Sequence, residues 1–198
     1  MRITGGNAAR RILKVPKGLD VRPTPDLVKQ AIFNSLGDRV VGAKVLELFA
    51  GSGALSLECL SRGATSALCI EKSQKHAAFI ERNASALPNA NLHTRTQDVF
   101  TAVAQLTANG TQFDLILADP PYGEKNIGRR SESFAQRLLD DENLPKLLAP
   151  NGRFILGHTK RDTLDLGTRW HEVKMLKHGD TVMRFFELPK TMKDSIQL

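Results

Sequence analysis

Residues 43–62 read AKVLELFAGSGALSLECLSR, and this stretch decides the fold class. AKVLELFA is a near-continuous apolar run of strand length, as expected of a strand covered on both faces of a parallel sheet. Gly51 and Gly53 then let the chain turn tightly and let a ligand lie against bare backbone. ALSLECLSR has helical spacing and stops at Gly63. A helix starting near Ala54 aims its free amide groups back at the turn, where they favour an anion.

The same alternation extends outward on both sides. Upstream, VRPTPDLVKQAIFNSLG supplies Thr24 as N-cap, Pro25 at the first helical position, an apolar face of Leu27, Val28, Ala31, Ile32 and Leu36, and Gly37 as stop. Downstream come the strand SALCIE, the helix SQKHAAFIERNASAL capped by Ser73, the short strand NLHTRT and a helix from Asp98. FDLILA is a strand ending at DPPYG. The polar loop GEKNIGRRS leads to the helix SFAQRLLDDENLPKLL, interrupted by Pro145, and then to the strand GRFILGHT. WHEVKMLKHGDTVMRFFELP reads as a hairpin turning at Lys177 to Asp180. Strands joined by helices predict an α/β, doubly wound, mostly parallel sheet, because parallel neighbours need crossovers. Ligands of such sheets bind beyond the carboxyl ends of the strands.

Composition narrows the class. The chain has 198 residues, 41% hydrophobic and 25% charged, which suits one packed domain, or one with a small appendage. No apolar run approaches the roughly 18 residues of a membrane span. The start, MRITGGNAARR, lacks the apolar core of a secretory signal, so the expected location is cytoplasmic. Cys59 and Cys69 lack metal-ligand spacing, and the five histidines are scattered, so no metal site is expected. Of the net charge of +7, +5 falls within the first 22 residues, from Arg2, Arg10, Arg11, Lys14, Lys17 and Arg22 against Asp20. RITGGNAARRILKV reads as two strands around a Gly-Gly-Asn turn. Residues 1–22 are therefore expected to form a basic β-hairpin extension that attracts phosphates, and residues 23–198 the main domain.

Four strand ends carry the candidate site. The turn at Gly51 and Gly53 alone is a weak signal, and Ser56 stands where a dinucleotide site expects Gly or Ala. Glu71, 18 residues beyond Gly53, can accept hydrogen bonds from a ribose diol; its bland alternative is an acid at a helix N-terminus beside Ser73. Asp98 can contact an adenine amine or cap its helix, and both roles stay open. Asp119-Pro120-Pro121-Tyr122 is the decisive piece. A base amine is a poor nucleophile because its lone pair is delocalised into the ring. The Asp119 carboxylate and the Pro120 carbonyl could each accept one N–H, favouring a tetrahedral nitrogen with its lone pair aimed at a sulfonium methyl. The prolines stiffen the turn, and Tyr122 offers a face on which a flipped-out base can stack.

At these residues the chain resembles the class I S-adenosylmethionine-dependent methyltransferases, and more closely the bacterial family that methylates N2 of a guanine in small-subunit (16S) ribosomal RNA. The matching stretches are RITGG, RPTPDLVKQAIFN, LELFAGSGALSLECLSRGA and ADPPY, within Arg2 to about Leu188. The resemblance implies a seven-stranded sheet in the order 3-2-1-4-5-7-6 with strand 7 antiparallel. It implies that Glu47, Phe49, Ala50, Gly51, Ser52 and Gly53 cradle the methionine half of S-adenosylmethionine. Glu71, with Lys72 beside it, would hold the ribose, and Asp98 with Val99 the adenine. Asp119, Pro120, Pro121 and Tyr122 would form the methylating site, while Arg2, Arg10, Arg11, Lys14 and Arg22 would face ribosomal RNA or an assembling small subunit. The family often has Asp at position 47, so Glu47 is a departure.

The expected reaction is direct in-line transfer, with Asp119 as acceptor and orienter and no covalent intermediate. Rival readings are another DPPY-type enzyme acting on adenine N6 or protein glutamine, and a non-catalytic RNA-binding assembly factor. The loop from Gly123 to Arg130 reads equally as a lid or as a solvated loop. The oligomeric state and the nucleotide modified are not legible.

Overall fold

The computed structural model describes residues 1–15, 24–85, 87, 90–122 and 129–190. In chain order the elements are α1 (Asp26–Leu36), β1 (Lys44–Leu48), α2 (Ala54–Ser61), β2 (Ser66–Glu71), α3 (Gln74–Ala84), β3 (Leu92–Thr96), α4 (Val99–Ala108), β4 (Phe113–Ala118), α5 (Phe134–Asp140), β5 (Leu148–Thr159), β6 (His171–His178) and β7 (Thr181–Glu187). The strands lie in the order β3-β2-β1-β4-β5-β7-β6, as the resemblance implied. Packing divides the chain into two compact units, Met1–Ala102 and Val103–Leu198.

In the first unit β1, β2 and β3 are parallel, with Glu47 opposite Cys69 and Glu71 opposite Thr96. The central strands are apolar and buried, whereas β3 (LHTRT) is a half-exposed edge. In the second unit β4 pairs parallel with β5, β5 antiparallel with β7, and β7 antiparallel with β6. Leu115, Ile116, Leu117 and Ala118 of β4 are all buried, as a strand covered on both faces requires.

Local expectations held at most ends. Ser73 caps α3 by accepting the His76 N–H at 3.3 Å, and Gly37 ends α1 with φ +54°. Three details differ. The helix after Pro25 starts one residue late: Pro25, rather than Thr24, stands at the N-cap position of α1, and its carbonyl accepts the Lys29 N–H. The segment around Pro145 is no longer helix but a separate 3₁₀ turn, Leu144–Leu147, and β5 begins earlier than GRFILGHT, at Leu148. The N-terminal hairpin is reduced to one antiparallel bridge, Arg2 with Ile12, around a turn spanning residues 5–10.

That arm is nonetheless anchored. Ile3 and Leu13 are 0% and 2% exposed and join Ala54, Leu57 and Leu87 in one apolar cluster. Burying two such side chains contributes about 1.5–3 kcal/mol each, against about 1–2 kcal/mol of backbone entropy for each residue ordered, so the arm is held with little margin. The Gly5-Gly6 turn lies against the end of α2: Ser61 donates its hydroxyl to the Gly5 carbonyl at 2.6 Å and accepts the Ala8 N–H at 2.9 Å. A Cβ on Gly6 would overlap the Ser61 carbonyl, and φ is +78° there, so only glycine fits. The expected boundary between residues 22 and 23 lies outside the described residues.

Candidate functional site

The glycine turn of the first unit is held from three sides. Gly51 and Gly53 have φ of +55° and +73°, and Phe49, without a glycine's freedom, sits at +56°. A bulky residue in that region is strained by an amount of order 1–3 kcal/mol, and such outliers concentrate at functional turns. The Phe49 ring meets Phe100 edge-on at 6.4 Å between centroids. Glu71, 8% exposed at the end of β2, accepts the Gly51 N–H at 2.7 Å and, through its other oxygen, the Ser73 N–H at 2.8 Å. Both readings of Glu71 thus have a basis. It sits at a helix N-terminus, where His76 Nδ1 lies 3.5 Å from the oxygen bound to Ser73, and among the described residues the other oxygen accepts only the Gly51 N–H. Lys72 beside it is exposed. Beneath the turn, a Cβ on Gly53 would approach Ile80 Cγ2 to 2.9 Å, so the turn rests directly on α3.

Glu47 points into the start of α2. Its oxygens accept the Leu55 N–H at 3.4 Å and the Ser56 N–H at 2.8 Å, satisfying donors that a helix N-terminus leaves without intrahelical partners. Burial pushes its pKa up to about 7, against the lowering by Ser56. The Glu47 side chain is long enough to reach both amides from β1. Cys69 and Cys59 are buried, and burial raises both thiols well above their ordinary range, which suits inert core residues.

Asp98 caps α4: its Oδ1 accepts the Phe100 and Thr101 N–H groups at 3.1 and 3.2 Å, and Val99 beside it is buried. Capping commits one oxygen of the carboxylate.

The predicted cations of the arm are unequal. Arg10, Arg11 and Lys14 are exposed, and Arg10 has φ +70°. Arg2 is tied to Asp26 at 3.0 Å. Arg22 lies outside the described residues, as does most of the expected lid. Beneath the arm runs a buried polar cluster that the sequence reading passed over. Glu58, 0% exposed, accepts the Thr4 N–H and hydroxyl at 2.7 Å each and Arg62 Nε at 2.9 Å. Lys29, also fully buried, donates to the Arg2 carbonyl and pairs with Asp26 at 3.2 Å. Charges at positions 29 and 58, inside otherwise apolar helix faces, were the available signal. Asn83, the third overlooked residue, bonds both Lys14 and Ser52.

In the second unit Asp119-Pro120-Pro121-Tyr122 follows β4. Gly157 of β5 makes room for the carboxylate: a Cβ there would overlap Asp119 Oδ1 and lie 3.0 Å from its Cγ. A glycine inside an apolar strand signals such a close approach. Pro120 is buried, Pro121 exposed, and Tyr122, 44% exposed, shares a 2.8 Å hydrogen bond between its hydroxyl and that of Thr181. Pro120, Pro121 and Tyr122 line one cleft with Gly157, His158 and Asp162. His158 is placed to donate from Nδ1 to the Thr159 carbonyl and to accept Arg184 Nε–H at Nε2. Burial first, and Arg184 second, hold its pKa below the ordinary value.

The family profile described as Conserved hypothetical protein 95 matches residues 1–187. The chain belongs to this family. A Haemophilus influenzae relative, "Ribosomal RNA small subunit methyltransferase D", is 32% identical over 191 residues, 94% of this chain and 93% of that one. An Escherichia coli protein of the same name is 37% identical over 122 residues, 62% of this chain and 60% of its own length. The chain thus spans about 60% of that relative. Among solved structures, "Putative methyltransferase yhhF" from Escherichia coli superposes with a TM-score of 0.76 at 30% identity, covering 95% of this chain and 97% of that one. Among the described residues no helix is long and apolar enough to cross a membrane, and no group of three or more His, Cys, Asp or Glu could hold a metal.

Proposed function

We propose that this family member is a methyltransferase that uses S-adenosylmethionine to methylate the N2 amine of a guanine in small-subunit ribosomal RNA, in the cytoplasm. The observation that carries the reading is the Asp119 carboxylate seated over Gly157, beside the stiff Pro120-Pro121 turn and the half-exposed Tyr122. That combination offers two acceptors for an exocyclic amine and a stacking face for its ring. The names of the two relatives, rRNA small-subunit methyltransferases, support the substrate class.

The residues of the first unit fit the cofactor. Gly51 and Gly53 expose backbone in a left-handed turn, Glu71 retains an accepting oxygen for a ribose diol, and Asp98 with Val99 would hold the adenine. Phe49, Ala50 and Ser52 complete the turn. When bound, S-adenosylmethionine supplies a methyl group on a good neutral leaving group. This chain's own work is positioning. Asp119 and the Pro120 carbonyl accept the two amine hydrogens and aim the nitrogen lone pair, and Tyr122 stacks on the base. No strong base is required, because the methylated nitrogen loses its proton readily to solvent. Arg2, Arg10, Arg11, Lys14 and Arg22 would contact phosphates, making residues 1–22 the RNA-contacting segment.

The test is incubation with labelled S-adenosylmethionine and small subunits from a strain lacking the gene, followed by digestion and mass spectrometry. N2-methylguanosine is the expected product. N6-methyladenosine or labelled protein would overturn the substrate assignment, and no label on competent particles would overturn the enzyme.

A further inference from the structure

One side chain joins the basic arm to the glycine turn. Asn83 of α3 is 2% exposed. Its Oδ1 accepts the Lys14 N–H at 2.8 Å, and its Nδ2 donates to the Lys14 carbonyl at 2.9 Å. It therefore pairs with Lys14 as a neighbouring strand would, through both backbone groups of one residue. The same Nδ2 donates to the Ser52 carbonyl at 3.1 Å, at the centre of Gly51-Ser52-Gly53. Three of the amide's four hydrogen-bonding positions are thus used, two on the arm and one on the turn. One helical turn earlier on α3, Ile80 supports Gly53 from below. The arm backbone that Asn83 grips carries the exposed side chains of Arg10, Arg11 and Lys14.

We infer that Asn83 is a positioning residue through which RNA held by the arm and cofactor held by the glycine turn strengthen each other's binding. The inference rests on the function proposed above. Docking the arm satisfies Asn83 and fixes its amide under Ser52; losing the arm leaves a buried amide with two hydrogen bonds unmade, a costly state that it would relieve by rotating. Phosphates that bind the arm in its docked form favour the state in which the turn is braced. A ligand that favours one state of a two-state element must be favoured by it in return.

The arm has a second anchor that separates this role from mere stability. Ser61 holds Gly5 and Ala8, and no bond of its side chain reaches the glycine turn. The measurement is the dissociation constant of labelled S-adenosylhomocysteine by equilibrium dialysis, with and without saturating polyuridylate. Wild type should bind the nucleoside at least about threefold more tightly with polyuridylate present. Asn83→Ala should bind it about tenfold more weakly, the cost of roughly one buried hydrogen bond, and should lose the enhancement. Asn83→Asp keeps the acceptor for the Lys14 N–H but loses both donations, to the Lys14 and the Ser52 carbonyls; it should behave alike, and serves if Asn83→Ala does not fold. Ser61→Ala should stay within about twofold of wild type. Asn83 variants with unchanged affinity and an intact enhancement would overturn the inference, as would a wild type without enhancement, or Ser61→Ala reproducing the loss. A wild type that does not bind S-adenosylhomocysteine at all would instead overturn the proposed function itself.

Discussion

The carboxylate of Asp119 rests on the bare Cα of Gly157, from the neighbouring strand: a Cβ at that position would overlap Oδ1 and sit 3.2 Å from Met183 Sδ. Because the obstructing atoms end two movable side chains, Gly157→Ala is expected to fold, with a stability change under about 1 kcal/mol, while turning the carboxylate out of place. Methyl transfer should fall by about tenfold or more. Thermal unfolding and a transfer assay on the same preparation check this, and full activity in the alanine variant would remove Gly157 from the site.

Direct removal of the acceptor should be more severe. Asp119→Ala is expected to lower the transfer rate by about 100-fold or more, comparable with losing one preorganised group that stabilises a transition state. Single-turnover kinetics is the readout. A rate within about fivefold of wild type would sink the assignment of Asp119.

Glu47 predicts a pH dependence of stability. Its folded pKa is raised to about 7 from 4.5, so its favourable contribution is full below about pH 4.5 and is lost as pH climbs through 7. A shift of this size corresponds to about 3 kcal/mol at most. Asp26, whose carboxyl is held below its usual range chiefly by Lys29 against the opposing effect of burial, works in the opposite sense: its contribution is present above the ordinary carboxylate value and is lost in acid. The clean measurement is therefore the difference between wild type and Glu47→Gln. Unfolding midpoints taken from about pH 5 to 8 should move in favour of the glutamine variant as pH rises. A constant difference across that range would show that Glu47 does not titrate there.

The buried cluster beneath the arm should be sensitive to loss of one member. Glu58→Ala takes from Arg62 its buried carboxylate, leaves Lys29 with Asp26 alone as its counter-charge, and removes the acceptor of the Thr4 N–H. Breaking a buried ion pair from one side costs about 3–5 kcal/mol, and denaturant titration should register a loss of that order. A change under about 1 kcal/mol would mean that the cluster is solvated in solution.

Arg10 and Arg11 should act through charge alone. Binding to small-subunit RNA should weaken linearly with the logarithm of salt concentration, and Arg10→Ala/Arg11→Ala should flatten the slope by about 1.4–1.8 if each neutralises one phosphate. Filter binding across a salt series measures it. An unaltered slope would place the RNA elsewhere.

The architecture was legible because its signals are local. FDLILA and SALCIE are the observed β4 and β2 residue for residue, and Ser73 and Gly37 mark real helix ends. Those features follow from side-chain period, capping and glycine conformation, all written within a few neighbouring residues. The DPPY turn and the glycine turn were legible for the same reason, since each concentrates its chemistry in four or five consecutive positions.

What the sequence determined by itself was therefore the list of elements, their strand order by way of a family resemblance, and the residues at the strand ends. Tertiary structure alone decided what those residues touch. Only in the fold does Glu47 spend its carboxylate on the amides of α2, and only there does Asp98 commit one oxygen to a cap. Asn83 meets Lys14 across 69 positions, and Ser61 meets Gly5 across 56. Such bonds carry no periodic or compositional trace, because their partners are brought together by burial of the apolar faces rather than by anything adjacent in the chain. A single hydrogen bond contributes about 1 kcal/mol, too little to shape local sequence pattern, yet enough to set where a loop rests once the core has formed.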